Sequence, residues 1–183
     1  MFRQEGVEVP RSWSELATKI AVSKYFYGDA ANGKDPKNGG REQSVRQLIH
    51  RVTRTIADWG IEDGYFADKA SAENFHQDLT WLCLHQYGAF NSPVWFNVGL
   101  HHEYGVGNHA GEGGWFWDAE IRKARRSPSQ YHYPQASACF IQGVKDNMED
   151  IMRLATSEAM LFKFGSGTGT DLSTLRSSRE KLS

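Results

Sequence analysis

Cysteine is scarce in this sequence: Cys83 and Cys139 are the only two. Two thiols so far apart make neither a disulfide framework nor a zinc-ribbon spacing, which points to a reducing cytosol. No run approaches the roughly 18 apolar residues that span a bilayer. The opening Met1-Phe2-Arg3-Gln4-Glu5-Gly6 carries charge where a signal peptide needs an apolar stretch. An excess of charge is missing as well: 21 Lys and Arg stand against 22 Asp and Glu, a formal net charge of −1. General attraction to nucleic acid or to a membrane surface is therefore not expected. What is present suits an ordinary globular chain. Its 183 residues, 39% hydrophobic and 13% aromatic, can bury a core or line a binding surface with rings.

Leu16 to Tyr27 reads as either helix or strand, because β-branched and aromatic residues are mixed through it. Gly28 to Arg41 has loop composition. Val45, Leu48, Ile49, Val52, Ile56 and Trp59 recur at three-and-four spacing, which predicts a helix ended by Gly60. A second helix is predicted from an N-cap at Ser71 through Phe75, Leu79, Leu82 and Cys83 to Gly88, antiparallel to the first. Cys83 lies on or beside its apolar face, as a core thiol does. Pro93 does not suit a helix interior, so Ala89 to Gly99 is predicted as a turn followed by a strand. Ser92 there fits either a pocket wall or a strand entry.

Residues 100–134 are the least regular. His101, His102, Glu103, His109, Glu112 and His132 are metal-ligand types, but no His-Glu-x-x-His occurs. Adjacent His101 and His102 diverge in a helix or a strand, so no metal site is predicted. Trp115-Phe116-Trp117 is expected to pack this excursion onto the body. Arg122, Lys123, Arg125 and Arg126 are expected to form a solvated basic face.

The densest chemistry follows. Gln135-Ala136-Ser137-Ala138-Cys139-Phe140-Ile141-Gln142-Gly143-Val144 is strand-like and holds the second cysteine. Asp146 is placed to cap a helix, with Glu149 as a capping-box partner. Met148, Ile151, Met152, Ala155, Ala159 and Phe162 make its apolar face, for the core or for a partner. Gly165-Ser166-Gly167-Thr168-Gly169-Thr170-Asp171 reads as a turn. Thr170 stands where a dinucleotide fingerprint needs its third glycine, and a Walker lysine is missing. The segment can still offer backbone N–H groups to an anion. The polar stretch after Arg176 has no natural terminus, which reads as a truncated chain.

Three motifs in one order now carry a resemblance: Asn91-Ser92-Pro93-Val94-Trp95-Phe96-Asn97, Gln135 to Phe140, and Gly165 to Ser173 with Arg176 beyond. Together they resemble the catalytic subunit of ribonucleotide reductases, nearest the class II, adenosylcobalamin-dependent type. The resemblance is strong over residues 40–183 and looser before them. It implies an α/β fold in which an N-terminal mostly helical region, 1–88, leads into the first strands of a ten-stranded α/β barrel, 89–183. It implies reduction of ribonucleotides, as diphosphates or triphosphates, by a thiyl radical and a redox cysteine pair.

Residue by residue, Cys139 matches the first cysteine of that pair. Ser92, Ala138, Cys139 and Gly167 match positions that hold substrate. Asp146 and Asn147 match the start of an allosteric site for a deoxynucleotide or ATP effector, at a helical dimer interface in the family. Arg176 matches a loop residue that contacts effector phosphates. The resemblance further implies adenosylcobalamin bound mainly by other parts of the enzyme, a thioredoxin-like reductant, and the remainder of the reductase chain or a second split subunit as partner. The radical cysteine and the second redox cysteine have no candidate here, so the chain alone is expected to be inactive. The alternative is a non-catalytic nucleotide-binding or interaction module in which Cys139 is structural.

Overall fold

A computed structural model describes residues 3–107, 113–163 and 165–180; His109 and Glu112 lie outside them. The chain divides into two compact units, residues 1–136 and 137–183.

The first unit is mostly helical. Helix α1, Glu15–Ile20, runs directly into a π-helical turn, Ala21–Tyr25, which settles the ambiguous early segment as helix. Helix α2, Val45–Glu62, carries the predicted apolar stripe and is opened by a capping box. The Ser44 hydroxyl accepts the Gln47 N–H at 3.0 Å, and Gln47 Oε1 accepts the Ser44 N–H at 3.1 Å. Gly60 does not end this helix. It lies within it, where a Cβ would stand 2.5 Å from the Phe66 ring, and the cap is Asp63.

Helix α3, Lys69–Leu84, begins three residues earlier than predicted. Its N-cap is Asp68, whose carboxylate accepts the N–H of Ser71, the residue expected to cap. It ends before Gly88. Thr53 and Thr80 share a hydrogen bond at 3.0 Å, and Arg54 reaches Glu73 at 3.1 Å, which sets α2 and α3 antiparallel.

The segment expected as turn and strand is a helix, α4, Ser92–Asn97, followed by α5, Leu100–Tyr104. Pro93 sits in the first turn of α4, where its missing N–H costs nothing, and Asn91 caps the turn. Gly99 joins the two helices at φ 83°, and a Cβ there would come 2.2 Å from the Arg51 carbonyl. Only glycine fits this approach.

The core gathers Ala21, Val22, Phe26, Leu48, Ile49, Val52, Cys83, Trp95 and Val98. Beside it lies a buried ion pair. Arg51, 1% exposed, donates Nε to Glu42 at 2.7 Å, and Glu42 is 0% exposed. The rest of the guanidinium donates to the Val98 and Trp95 carbonyls at 2.8 Å and to Tyr25 at 3.2 Å. It thereby caps the end of α4, where carbonyls lack helical partners. Glu42 also accepts the Tyr104 hydroxyl and the Tyr27 N–H, both at 2.8 Å. A buried charge persists only with such saturation.

A hairpin closes this unit: β1, Trp115–Asp118, pairs antiparallel with β2, Lys123–Arg126. Trp115 and Trp117 are 72% and 64% exposed, so they do not pack the excursion onto the body. Phe116, between them, stacks on Tyr133 within the same excursion, with centroids 3.7 Å apart. The basic face is exposed as expected, with Arg125 paired to Asp118 at 2.6 Å. Among the described residues, no helix is long and apolar enough to cross a membrane.

Candidate active site

The second unit is a β-α-β arrangement: β3, Cys139–Gly143, then α6, Met148–Lys163, then β4, Gly167–Asp171. The strands pair in parallel, Cys139 opposite Gly167 and Gly143 opposite Asp171. Parallel pairing needs a crossover, and α6 supplies it. The glycine segment expected as a turn is therefore largely strand. Only Gly165, at φ 83°, turns the chain out of α6.

Alternation divides the two strands. Phe140, Gln142, Thr168 and Thr170 are half-buried, while Cys139, Ile141, Gly143, Gly167, Gly169 and Asp171 are exposed. Both threonine hydroxyls donate to Glu158 Oε1 of α6, each at 2.9 Å, so the half-buried residues face the helix. The opposite face is bare, with Ile141 93% exposed. Cys139 is a free, exposed thiol on that face. The N–H of Gly167 donates to the Ala138 carbonyl at 2.6 Å, and the Ser166 hydroxyl to the Ser137 carbonyl at 2.7 Å. Ala138, Cys139 and Gly167 are thus brought together at the start of both strands. Ser92 belongs to the first unit, where its hydroxyl meets Tyr25 at 3.0 Å.

A second cluster forms past the other end of the strands. Asp146 Oδ2 accepts Arg176 Nε at 2.5 Å, which ties the loop after β4 to the connection after β3. The Thr174 hydroxyl donates to the Val144 carbonyl and fastens the same loop. Asp146 does not cap α6. Asn147 does, its side chain accepting the Asp150 N–H at 2.8 Å, while Asp150 accepts the Lys145 N–H at 2.8 Å. The acidic residue that reaches back is therefore Asp150 and not Glu149, and it takes the N–H of Lys145 instead of that of the cap, so no capping box forms. A five-residue strand puts on the order of 15 Å between the two clusters. Most of the predicted stripe on α6 is not core in this unit: Met148, Met152 and Phe162 are 71%, 57% and 58% exposed, and Ile151 is half-buried.

Cys83, the other thiol, is buried on α3, and burial pushes its pKa up. It is suited to packing and not to exchange. The adjacent imidazoles diverge: His101 stacks on His132, while His102 turns to Asp58. Burial works to raise the Asp58 carboxyl, but hydrogen bonds from Arg54 and His102 outweigh it and hold the pKa below its ordinary value.

An exposed strand cysteine in a β-α-β unit places the second unit among α/β proteins, and residues 137–183 match the barrel domain of ribonucleotide reductases. Within that class, residues 1–86 match the family described as class II vitamin B12-dependent ribonucleotide reductase. Curated relatives carry the name vitamin B12-dependent ribonucleotide reductase. The one from Rhodopirellula baltica is 64% identical, that from Streptomyces coelicolor 40% and that from Bradyrhizobium diazoefficiens 36%. All of this chain is covered in each comparison, but only 17%, 15% and 17% of those relatives. The chain belongs to the class II vitamin B12-dependent ribonucleotide reductase family. It spans about a sixth of the length of the curated relatives it matches.

Proposed function

We propose that this chain contributes part of the substrate wall and the effector segment of a reductase that converts ribonucleotides to deoxyribonucleotides, with Cys139 as one of its two reducing thiols. The exposed thiol of Cys139, opposite Gly167 on a bare sheet face, carries the reading. In that reaction the C2′–OH bond breaks and a C2′–H bond forms. Two thiols give up two electrons and two protons, become a disulfide, and water leaves. Cys139 provides one thiol, and the second comes from elsewhere in the enzyme. A thioredoxin-like dithiol then reduces the disulfide by exchange.

Gly167 suits the wall because it presents backbone without a side chain. Ala138, beside it, and the Ser92 hydroxyl are the other substrate contacts in this reading. Asp146, Asn147 and Arg176 form the effector segment, Arg176 meeting phosphate oxygens and Asp146 accepting from a sugar hydroxyl. The bare face fits the inner side of a ten-stranded barrel, with α6 on its outer side.

The relatives are named as B12-dependent, so cobalamin chemistry is expected to generate the radical. Clefts of about 390, 410 and 540 Å³ in the first unit match a drug-sized ligand and do not enclose a corrin. The described residues do not fit that group, and no step here runs through it.

Cys139→Ser in the full-length enzyme tests the proposal. Turnover driven by a dithiol should vanish while substrate binding survives. Unchanged turnover would remove Cys139 from the chemistry and favour a module in which the cysteine is structural.

A further inference from the structure

One polar cluster involves none of the substrate or effector residues. Asp58 lies on α2, while His102 and Glu103 are neighbours on α5. One ligand atom from each lies within 4.8 Å of the other two. His102 Nε2 is 2.8 Å from Asp58 Oδ2. The other oxygen, Oδ1, accepts Arg54 Nε at 2.8 Å, so Arg54 orients the carboxylate and leaves Oδ2 toward His102. Glu103 is less well satisfied: its ion-pair partner is His50 Nε2 at 3.9 Å, beyond hydrogen-bonding distance. The side chains of Asp58, His102 and Glu103 are 28%, 32% and 23% exposed, open enough for an ion to enter and enclosed enough to hold it.

Arg54 already offsets the Asp58 charge, so the trio is marked by its donor set, two carboxylates and one imidazole within reach of a single ion. Metal–ligand bonds of about 2.0–2.2 Å put tetrahedral ligand atoms roughly 3.3–3.5 Å apart. The His102–Asp58 pair would open by under about 1 Å, and Glu103 would close by a little more, within the reach of side-chain rotation. The fourth position is left to water, as in an open zinc site.

We propose that Asp58, His102 and Glu103 bind a divalent transition-metal ion of the zinc type, completed by water. Imidazole and carboxylate oxygen are the donors such an ion takes. Bound there, it would fasten α5 to α2 and support the Gly99 junction that leads back to α4.

The test is titration of untagged protein with Co²⁺ and then Zn²⁺. One equivalent of Co²⁺ should bring visible d–d absorption without thiolate charge transfer, Zn²⁺ should displace it, and the Tm should rise. His102→Gln and Glu103→Gln, each checked for native circular dichroism, should bind Co²⁺ at least about tenfold more weakly. His85→Gln, a histidine outside the set that packs on Trp81, should bind as before. Absence of stoichiometric uptake by the native protein overturns the proposal. So does uptake unchanged in both variants, or a thiolate band that disappears with Cys139→Ser.

Discussion

Cys139 and Gly167 form the first rung of the parallel ladder between β3 and β4, and both are left bare on the face that α6 does not cover. A thiol and a side-chain-free backbone share one edge. This relationship makes the glycine testable independently of the cysteine.

Gly167→Ala should separate folding from binding. The nearest described atom to a new Cβ is the Ala138 carbonyl oxygen at 3.7 Å, an ordinary contact. Alanine also loses less backbone entropy, so stability should hold or rise by up to about 1 kcal/mol. In the full-length enzyme the methyl group would intrude on the substrate, and KM should rise several-fold. An unchanged KM, with stability intact, would take Gly167 out of the substrate wall.

Asp146→Asn addresses the effector segment. Losing one charge-assisted hydrogen bond costs about 1.5–3 kcal/mol, roughly ten- to a hundredfold in affinity. Calorimetric titration of the full-length enzyme with a deoxynucleotide should show that loss. Equal affinity in the variant would leave Asp146 as only the partner of Arg176.

Arg51→Met should be among the most damaging changes in the first unit. It strands Glu42 as a buried charge and leaves the Tyr25, Trp95 and Val98 carbonyls without this donor. Breaking such a pair costs about 3–5 kcal/mol, read as a lower urea midpoint. Arg51→Lys should recover little of it, because a point ammonium cannot reproduce the planar fork.

Tyr104 predicts a pH dependence. Burial, together with the Glu42 carboxylate, pushes its phenol well above the ordinary value near 10. The unfolded chain therefore releases this proton first as pH climbs, so the folded state loses stability above about pH 10. Tyr104→Phe should flatten that alkaline loss while lowering neutral-pH stability by about 1–2 kcal/mol. Urea melts across the alkaline range would show both effects.

Some of this was legible in the sequence, for physical reasons that differ by element. The apolar period of α2 shows plainly because one face must reach the core. The extended run at Cys139 shows because a short apolar stretch is bounded by turn residues. Pro93 misleads because its cost depends on position within a helix, and the first turn tolerates it. The Gly-Thr alternation at 167–170 reads as loop composition, yet it is a strand whose two faces demand opposite side chains. The cluster of Asp58 with His102 is invisible to local spacing, since 44 residues separate them.

The threonines of β4 have one more consequence. Both lean on a single oxygen of Glu158, across the sheet from the bare face. A slip of β4 by one residue would send them to the wrong side and bring the glycines under α6. Glu158 would then have no hydroxyls to receive. One carboxylate on the crossover helix therefore sets the phase of the strand, and with it decides which backbone atoms stand across from the thiol.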